Sequence, residues 1–282
     1  MMKSLTENLI DKEKINYNLT QKTSYGNYLC LDQILSAQKY RSKNHHIEHL
    51  FITVHQISEL WLSVILINLK ESLVSIQSDN LSMFHIYSNR IQKSQDQLIQ
   101  LWDVLSTMTP TEYLSIRDSL GESSGFQSYQ YRMFEFILGN KNKNLCDMFL
   151  HDPKVHEKVL SILNSPSLYD EVIMLLVRRG LLLPKVTENR DWSTPYRSRE
   201  EITRAWLKIY RDKQSWNDLH QVAEALINIE DRFQKWRFCH FKSVQRLIGN
   251  KSGTGGTTGG EYLKKVLGLT FFPELYQVRN CI

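Results

Sequence analysis

Residues 215–249 read SWNDLHQVAEALINIEDRFQKWRFCHFKSVQRLIG, and they predict the fold class more clearly than any other stretch. Apolar side chains recur every three or four positions from Leu219 through Phe233 to Leu247, which is the spacing of one face of a helix. Gly249 follows directly, and glycine is a typical residue at a helix end. We therefore expect one helix of about 50 Å, at a rise of about 1.5 Å per residue.

A second stretch with the same period covers residues 50–67, LFITVHQISELWLSVILI, and the pattern continues to about residue 73. Further helical stripes or capping signals occur over residues 91–105, 109–121, 127–138, 165–180 and 198–201. The alternation of polar and apolar residues that is typical of strands is almost absent. The sequence therefore predicts an all-α fold, a single helical bundle with long core helices and no significant sheet.

Three short motifs predict where helices begin. Residues 109–112 (TPTE) combine a capping box with proline at the first helical position. Ser198 and Glu201 have the spacing of a second capping box. Residues 165–166 (SP) predict the start of another helix, which would end at Gly180.

The composition is that of a globular protein: 282 residues, of which 41% are hydrophobic and 23% charged. No linker rich in proline, glycine or serine divides the chain, so we expect a poorly defined N-terminal extension over residues 1–24 and one all-helical domain over residues 25–282. The formal charge of +5 is small and dispersed. It therefore gives little support to a nucleic-acid-binding protein.

The cysteines, the N-terminus and the apolar segments all favour a cytoplasmic protein that does not enter a membrane. The four cysteines include no CxxC pair, and so few cysteines in a chain of this length argue against a disulfide framework. Residues 1–21 are polar and charged, without the apolar run of a signal peptide. Residues 50–67 include His55, Ser58 and Glu59, and a membrane span seldom carries polar groups at that density.

His240 lies on the apolar stripe of residues 215–249, between Trp236 and Val244. A histidine in such a place is most often a core residue, but one neutral imidazole on a helix is also sufficient as the axial ligand of a haem iron. No CxxCH motif is present, so such a haem would be bound non-covalently. The nine histidines have no spacing of the HExxH kind, which disfavours a zinc site.

Two pairs of side chains spaced by four residues could also carry chemistry. Phe51 and His55 place an aromatic ring and an imidazole on one helix face. Tyr113 and Arg117 meet on the helix that residues 109–112 begin, and a guanidinium with a phenol hydroxyl suits a carboxylate. Each pair could equally belong to an ordinary helix surface.

Residues 253–260 (GTGGTTGG) hold five of the 12 glycines and predict a loop between helices. Glycine allows a positive φ and the close approach of a ligand to the backbone, and the threonines add hydroxyl groups. The GxxxxGK[ST] pattern of a P-loop is missing. A flexible connector and a ligand-binding loop both fit this composition.

Several blocks of this sequence closely resemble the tryptophan 2,3-dioxygenase family of haem enzymes. The blocks are residues 25–33 (YGNYLCLDQ), 51–61 (FITVHQISELW), 123–131 (SSGFQSYQY), 139–142 (GNKN), 166–170 (PSLYD), 236–240 (WRFCH), 253–256 (GTGG) and 271–275 (FFPEL). The resemblance implies an all-helical homotetramer that binds one haem b per subunit. It also implies that dioxygen is inserted across the indole C2–C3 bond of L-tryptophan to give N-formyl-L-kynurenine, the first step of the kynurenine pathway.

The resemblance further implies roles for single residues. His240 matches the axial ligand of the haem iron, and His55 matches the distal histidine that faces the indole N–H in the catalytic site. Arg117, assisted by Tyr113, matches the arginine that pairs with the substrate carboxylate. Thr254 matches the threonine that binds the amino-acid head group.

Other positions complete the implied substrate site. Phe51 matches a residue that lines the indole pocket, and Ser124 and Gly125 match the segment over the distal face of the haem. In the family, an N-terminal segment reaches into the site of a neighbouring subunit. The residues that match this segment are Tyr25, Tyr28 and Leu29.

Two residues depart from the family pattern beside these positions. Glu122 stands where the family usually has proline, and Cys239 stands where an arginine usually precedes the iron ligand. Neither replaces a residue of the implied site. Two alternatives remain: an oxygenase of a modified indole or another aromatic amino acid, and a helical haem-binding sensor without catalytic activity. Retention of the residues matched above favours L-tryptophan and dioxygen as substrates.

Overall fold

The computed structural model describes residues 24–249, 251, 253 and 260–282. The chain divides into two compact units, Met1–Arg41 and Ser42–Ile282. In the first unit, the described residues form two short helices, α1 (Tyr25–Tyr28) and α2 (Leu31–Leu35). Cys30 lies between them with a φ of 52°, a left-handed conformation that lets the chain turn from one helix into the next.

The second unit contains ten α-helices in its described residues. They are α3 (His45–Gln77), α4 (Leu81–Leu105), α5 (Pro110–Arg117), α6 (Tyr129–Leu138), α7 (Pro153–Leu163), α8 (Leu168–Arg178), α9 (Glu200–Arg211), α10 (Asn217–Ile248), α11 (Gly260–Val266) and α12 (Pro273–Val278). Short 3-10 turns lie at Asp118–Leu120, Gly125–Gln127, Lys143–Leu145, Asp147–Phe149 and Pro184–Val186. The described part of the chain has no β-strand, so the predicted all-α fold is confirmed.

Three long helices of 33, 25 and 32 residues, α3, α4 and α10, form the centre of the bundle. Only residues 78–80 connect α3 to α4, so the two helices are antiparallel neighbours. Asp79 takes a φ of 57° in this connection. The buried amide of Gln95 on α4 donates to the carbonyl of Ile229 on α10 at 2.9 Å, which fixes the register between these two helices.

Two of the predicted helix boundaries are confirmed. Thr109 and Glu112 form the expected capping box at the start of α5: the Thr109 hydroxyl accepts from the Glu112 N–H at 3.3 Å, and the Glu112 carboxylate accepts from the Thr109 N–H at 2.8 Å. The helix predicted from residues 215–249 begins at Asn217 and ends before Gly249. Gly249 has a φ of 61°, a conformation that only glycine adopts without steric cost.

Two other predicted helix starts are wrong. The cap of α8 is Ser167, whose hydroxyl pairs with Asp170, rather than Ser165, whose hydroxyl donates back to a carbonyl of α7. Ser198 does not cap α9, because its hydroxyl donates to the side chain of Gln277 at 3.2 Å. In both places a competing hydrogen bond removes the hydroxyl from its expected cap, which the sequence pattern does not reveal.

The long helix α3 keeps an exposed apolar face. The exposed residues are Leu60, Val64, Ile67 and Val74, of which Ile67 is 62% exposed. By length and hydropathy alone, His45–Gln77 and Pro153–Arg178 could each cross a membrane. The second segment comprises α7 and α8 and is largely buried within the protein, as core helices of soluble proteins are. The first segment differs, because α3 keeps these apolar side chains exposed, and exposed apolar patches often mark interaction surfaces.

Candidate active site

A cavity opens among α3, α4, α5, α6, α10 and α11. The empty space within it and in its open mouth, outside solvent included, is about 1590 Å³. Most of the lining side chains are apolar or aromatic. The polar ones include His55 from α3, Tyr113 from α5 and His240 from α10. An apolar cavity with a few convergent polar groups is the usual form of a site for a small molecule or cofactor.

His55 presents one ring nitrogen to the cavity in a defined protonation state. Its Nδ1 lies 2.7 Å from the carbonyl oxygen of Phe51, one turn earlier on α3. A carbonyl can only accept, so Nδ1 carries the proton and Nε2 of the neutral ring is the acceptor nitrogen. Burial lowers the pKa of His55, against the opposing effects of the Phe51 carbonyl and Glu59. The imidazole is therefore neutral at neutral pH and suited to accept an N–H from a ligand.

His240 packs against two indole rings that also contact each other, with the Trp102 and Trp236 centroids 5.5 Å apart. Its ring stacks on Trp102 of α4, with centroids 4.7 Å apart and planes at 11°, and lies 5.3 Å from Trp236. Burial, with a smaller contribution from His55, lowers the pKa of His240 to about 4. The ring is therefore unprotonated at neutral pH, which is the form that ligates a metal.

The surroundings of His240 fit a haem. A neutral imidazole on a helix, opening into a cavity walled by aromatic rings, supplies the one protein ligand that haem iron requires. The neighbouring Cys239 is half-buried, and burial raises the pKa of its thiol, so it stays protonated and competes poorly for iron. Across the described residues, no group of three or more histidine, cysteine or acidic side chains is placed to hold a metal ion by itself.

Tyr113 and Phe51 form one side of the cavity, with ring centroids 6.2 Å apart. Burial raises the pKa of the Tyr113 phenol, and the nearby Arg117 guanidinium lowers it. Arg117 is half-buried in the last turn of α5 and does not itself line the cavity in this structure. The predicted pair is thus brought together, with the phenol on the cavity and the guanidinium beside it.

Ser124 and Gly125 also line the cavity, as expected of residues over one face of a bound ring. The Ser124 hydroxyl accepts from the Phe126 N–H at 3.3 Å and caps the short turn that follows. Gly253 lines the cavity as well, whereas Thr254 lies outside the described residues.

The three predicted residues of the N-terminal segment belong to the first compact unit. There Tyr25 and Tyr28 are more than three-quarters exposed, and Leu29 is 36% exposed. Ser24 caps α1 by accepting from the N–H of Asn27 at 3.3 Å. In the structure this segment thus begins with a short helix, and its two aromatic side chains are exposed.

Several cavity residues were not predicted from the sequence. Trp102 was recognised only as part of an apolar stripe, and its stack on His240 depends on how α4 packs against α10. A buried charged cluster, formed by Arg132, Glu135 and Arg237, also lies in the wall. Its only signal in the sequence is the presence of charged residues at apolar-stripe positions of α6 and α10.

Comparison with known proteins agrees with this geometry. The profile of the tryptophan 2,3-dioxygenase family matches residues 11–148 and 206–282. A tryptophan 2,3-dioxygenase of Bacillus thuringiensis (strain Al Hakam) is 46% identical over 274 residues, which cover 97% of this chain and 98% of the relative.

Two further bacterial proteins of the same name are similar to this chain. The one from Shewanella woodyi is 46% identical over 95% of this chain and 94% of its own length. The one from Burkholderia pseudomallei (strain 668) is 47% identical over 94% of this chain and 86% of its own length. With the family profile and relatives of this identity covering nearly the whole chain, the protein belongs to the tryptophan 2,3-dioxygenase family.

Proposed function

We propose that this protein cleaves the indole C2–C3 bond of L-tryptophan with dioxygen and releases N-formyl-L-kynurenine, the first step of tryptophan degradation by the kynurenine pathway. The observation that carries the proposal is the pair of neutral histidines, His55 and His240, which line one aromatic cavity from two different helices. The reaction itself is inferred from membership of the tryptophan 2,3-dioxygenase family.

Haem b is the proposed cofactor, one per subunit, with His240 as the axial ligand. When bound, ferrous haem would bind and activate dioxygen, a chemistry that no side chain offers. Trp102 and Trp236 limit the rotation of the His240 ring, so the ligand is oriented before the cofactor arrives. The low pKa of His240 also keeps a proton from competing with iron for the ring.

His55 is the proposed partner of the indole N–H. Its Nδ1 is committed to the Phe51 carbonyl, so Nε2 can accept from the indole without any change of tautomer. The Phe51 ring, 4.2 Å from the His55 ring, offers an apolar surface beside it. Together the two side chains would orient the substrate ring, and this orientation is the main contribution of His55.

Arg117, Tyr113 and Thr254 are the proposed recognition groups for the amino-acid head group. A guanidinium forms two parallel hydrogen bonds with a carboxylate, and the Tyr113 phenol on the cavity wall can add a third. Ser124 and Gly125, which line the cavity from a neighbouring turn, would cover the distal face of the haem. Such a site should discriminate strongly against indoles without a carboxylate, because its polar groups would stay unpaired.

The protein is proposed to act in the cytoplasm as a homotetramer. The exposed apolar face of α3, which includes Leu60 and Ile67, is a suitable contact surface for another copy of the chain. The exposed rings of Tyr25 and Tyr28, with Leu29, would then reach the site of a neighbouring subunit. Ile67→Glu should reduce the assembly size measured by light scattering, whereas Leu150→Glu, at an equally exposed position outside α3, should not.

One experiment separates the dioxygenase from a haem sensor. The purified protein should show a Soret band and, when reduced and given L-tryptophan and air, should form a product with the absorbance of N-formylkynurenine. His240→Ala should lose both the Soret band and turnover. His220→Ala is the matched control, because His220 lies on the same helix but outside the cavity. A Soret band without product would indicate a sensor.

A further inference from the structure

A cluster of three buried charged side chains lies in the cavity wall without a role in the chemistry proposed above. It consists of Arg132 and Glu135 on α6 and Arg237 on α10, each only 2% or 3% exposed. The Glu135 carboxylate is shared between the two guanidiniums: Arg237 Nη2 lies 2.7 Å from Oε1, and Arg132 Nη1 pairs with Oε2. The Tyr131 hydroxyl also donates to Oε1 at 3.1 Å.

Burying three ionised groups is costly, and in some proteins such groups are retained because they impose a specific geometry. Here all three members contribute to the lining of the cavity. The cluster joins α6, which follows the Ser124–Gly125 segment, to α10, which carries His240 one turn after Arg237. Its position therefore suggests a role in holding the cavity walls together.

The guanidinium of Arg237 reaches a third chain segment. Its Nη1 donates to the carbonyls of Val266 and Leu269, at 3.1 and 3.2 Å, while Nη2 remains on Glu135. Val266 is the last residue of α11, so one side chain connects α6, α10 and the end of α11. Arginine can do this because its planar fork directs donors along several fixed directions, whereas a lysine offers one compact ammonium group.

The segment that Arg237 holds is itself a wall of the cavity. Tyr262, Leu263 and Val266 of α11 all line it. The Tyr262 ring meets the edge of the Phe126 ring at 5.6 Å, and the Arg132 guanidinium lies over that same Phe126 ring at 5.2 Å. The charged cluster therefore contacts this wall directly through Arg237 at the end of α11. Arg132 reaches it only indirectly, through the Phe126 ring that packs against Tyr262.

We propose that Arg237 is a positioning residue that, with Glu135, holds the α11 wall against the helix that carries His240 and thereby retains the haem. The inference rests on the proposed function, since it concerns the same cavity. It assigns retention of the cofactor to a side chain that neither ligates iron nor contacts the amino-acid head group. A looser α11 wall would let the cofactor leave faster without altering its ligand.

Two measurements on the haem-loaded protein test this proposal. The first is the rate of haem transfer to an excess of apomyoglobin, and the second is amide hydrogen exchange along the chain. Arg237→Lys should raise the transfer rate about tenfold, because a single ammonium cannot keep all three contacts. It should also speed exchange in Gly260–Val266 while leaving α3 unchanged.

The matched control is Arg232→Lys, on the same helix. Arg232 pairs with Asp96 at 2.7 Å and lies outside the cavity, so its replacement should change neither measurement. The proposal is overturned if Arg237→Lys behaves like Arg232→Lys. It is also overturned if exchange rises equally in α3 and α11, which would mark a general loss of stability.

Tyr131→Phe provides a milder variant in case Arg237→Lys does not fold. It removes only the hydroxyl that donates to Glu135, and it should shift both measurements in the same direction by a smaller factor. Unchanged haem transfer and unchanged exchange in a folded Tyr131→Phe protein would contradict the proposal. If the wild-type protein bound no haem, the proposed function would fail, while hydrogen exchange would still show whether Arg237 holds α11.

Discussion

The imidazole of His240 lies flat on the indole of Trp102, with ring centroids 4.7 Å apart and planes at 11°. The two residues come from α10 and α4, which are held in register by the hydrogen bond from Gln95 to Ile229. The orientation of the candidate iron ligand is thus set by the packing of two long helices. Among the described residues, no group accepts a hydrogen bond from the buried Trp102 Nε1 atom, so the contacts seen for this ring are stacking and apolar packing.

Trp102→Leu should therefore weaken haem binding without removing the ligand. An aromatic pair adds roughly 0.5–1.5 kcal/mol beyond its buried area, which corresponds to a loss of haem affinity of about 2- to 13-fold. Titration of the apoprotein with haem gives the affinity directly. Trp102→Phe, which keeps an aromatic ring, should retain most of it, and equal affinities for the leucine and phenylalanine variants would argue against stacking.

His55→Ala should lower kcat/KM for L-tryptophan by roughly 10- to 100-fold, the cost of one hydrogen bond that orients the substrate. The haem content should stay that of the wild type, because His240 is untouched. Steady-state kinetics and the Soret absorbance of the same sample check both expectations. Complete loss of turnover would instead indicate an obligatory proton transfer at His55.

Arg117→Ala should raise KM for L-tryptophan by roughly 10- to 100-fold and change the haem content little, because a charge-assisted pair to the substrate carboxylate is lost. Tyr113→Phe should have a smaller effect in the same direction, since it removes a single hydroxyl. Kinetic constants for the two variants and the wild type provide the comparison. An unchanged KM in Arg117→Ala would remove this residue from the substrate site.

The buried carboxyl group of Glu230 should make the free energy of unfolding depend on pH. Its buried carboxyl group accepts from the N–H groups of Phe271 and Phe272 at 2.9 and 3.0 Å, and burial raises its pKa from 4.5 to about 7. Between these two pH values the unfolded chain releases the proton while the folded protein keeps it. The stabilisation that the protonated Glu230 side chain gives the folded protein is therefore complete below pH 4.5. It is lost as pH rises through 7, which lowers the free energy of unfolding by about 3 kcal/mol in total.

Glu230→Gln removes this titration while keeping an acceptor oxygen. Chemical denaturation at a series of pH values should give a smaller loss of unfolding free energy between pH 4.5 and 7 for the variant than for the wild type. If the free energy of unfolding changed with pH by the same amount in both proteins, Glu230 would titrate in the folded state as it does in the unfolded chain.

Much of the fold could be predicted because its signals are local. The apolar period of residues 215–249 and the capping box at Thr109 depend on side chains within a few turns of each other, and both elements appear where they were expected. Ser198 shows the limit of such reasoning. Its spacing to Glu201 is that of a capping box. Its hydroxyl instead donates to the side chain of Gln277, which is 79 residues away in sequence.

In the candidate site too, contacts between residues far apart in sequence could not be predicted. His55 and His240 could be named from the resemblance, and the structure places both on one cavity. The stack of His240 on Trp102 could not be predicted, because it depends on how two helices pack. The hydrogen bonds of Arg237 could not be predicted either, because its partners Glu135 and Val266 lie 102 and 29 positions away in sequence.

Isotope labelling shows whether both atoms of dioxygen enter one molecule of L-tryptophan. The reduced protein is given L-tryptophan under ¹⁸O₂, and the product is analysed by mass spectrometry before the labelled oxygens exchange with water. We predict N-formylkynurenine that carries two labelled oxygen atoms, and no such product with His240→Ala. A product with one labelled atom or none, or full labelling by the His240→Ala variant, would contradict the account.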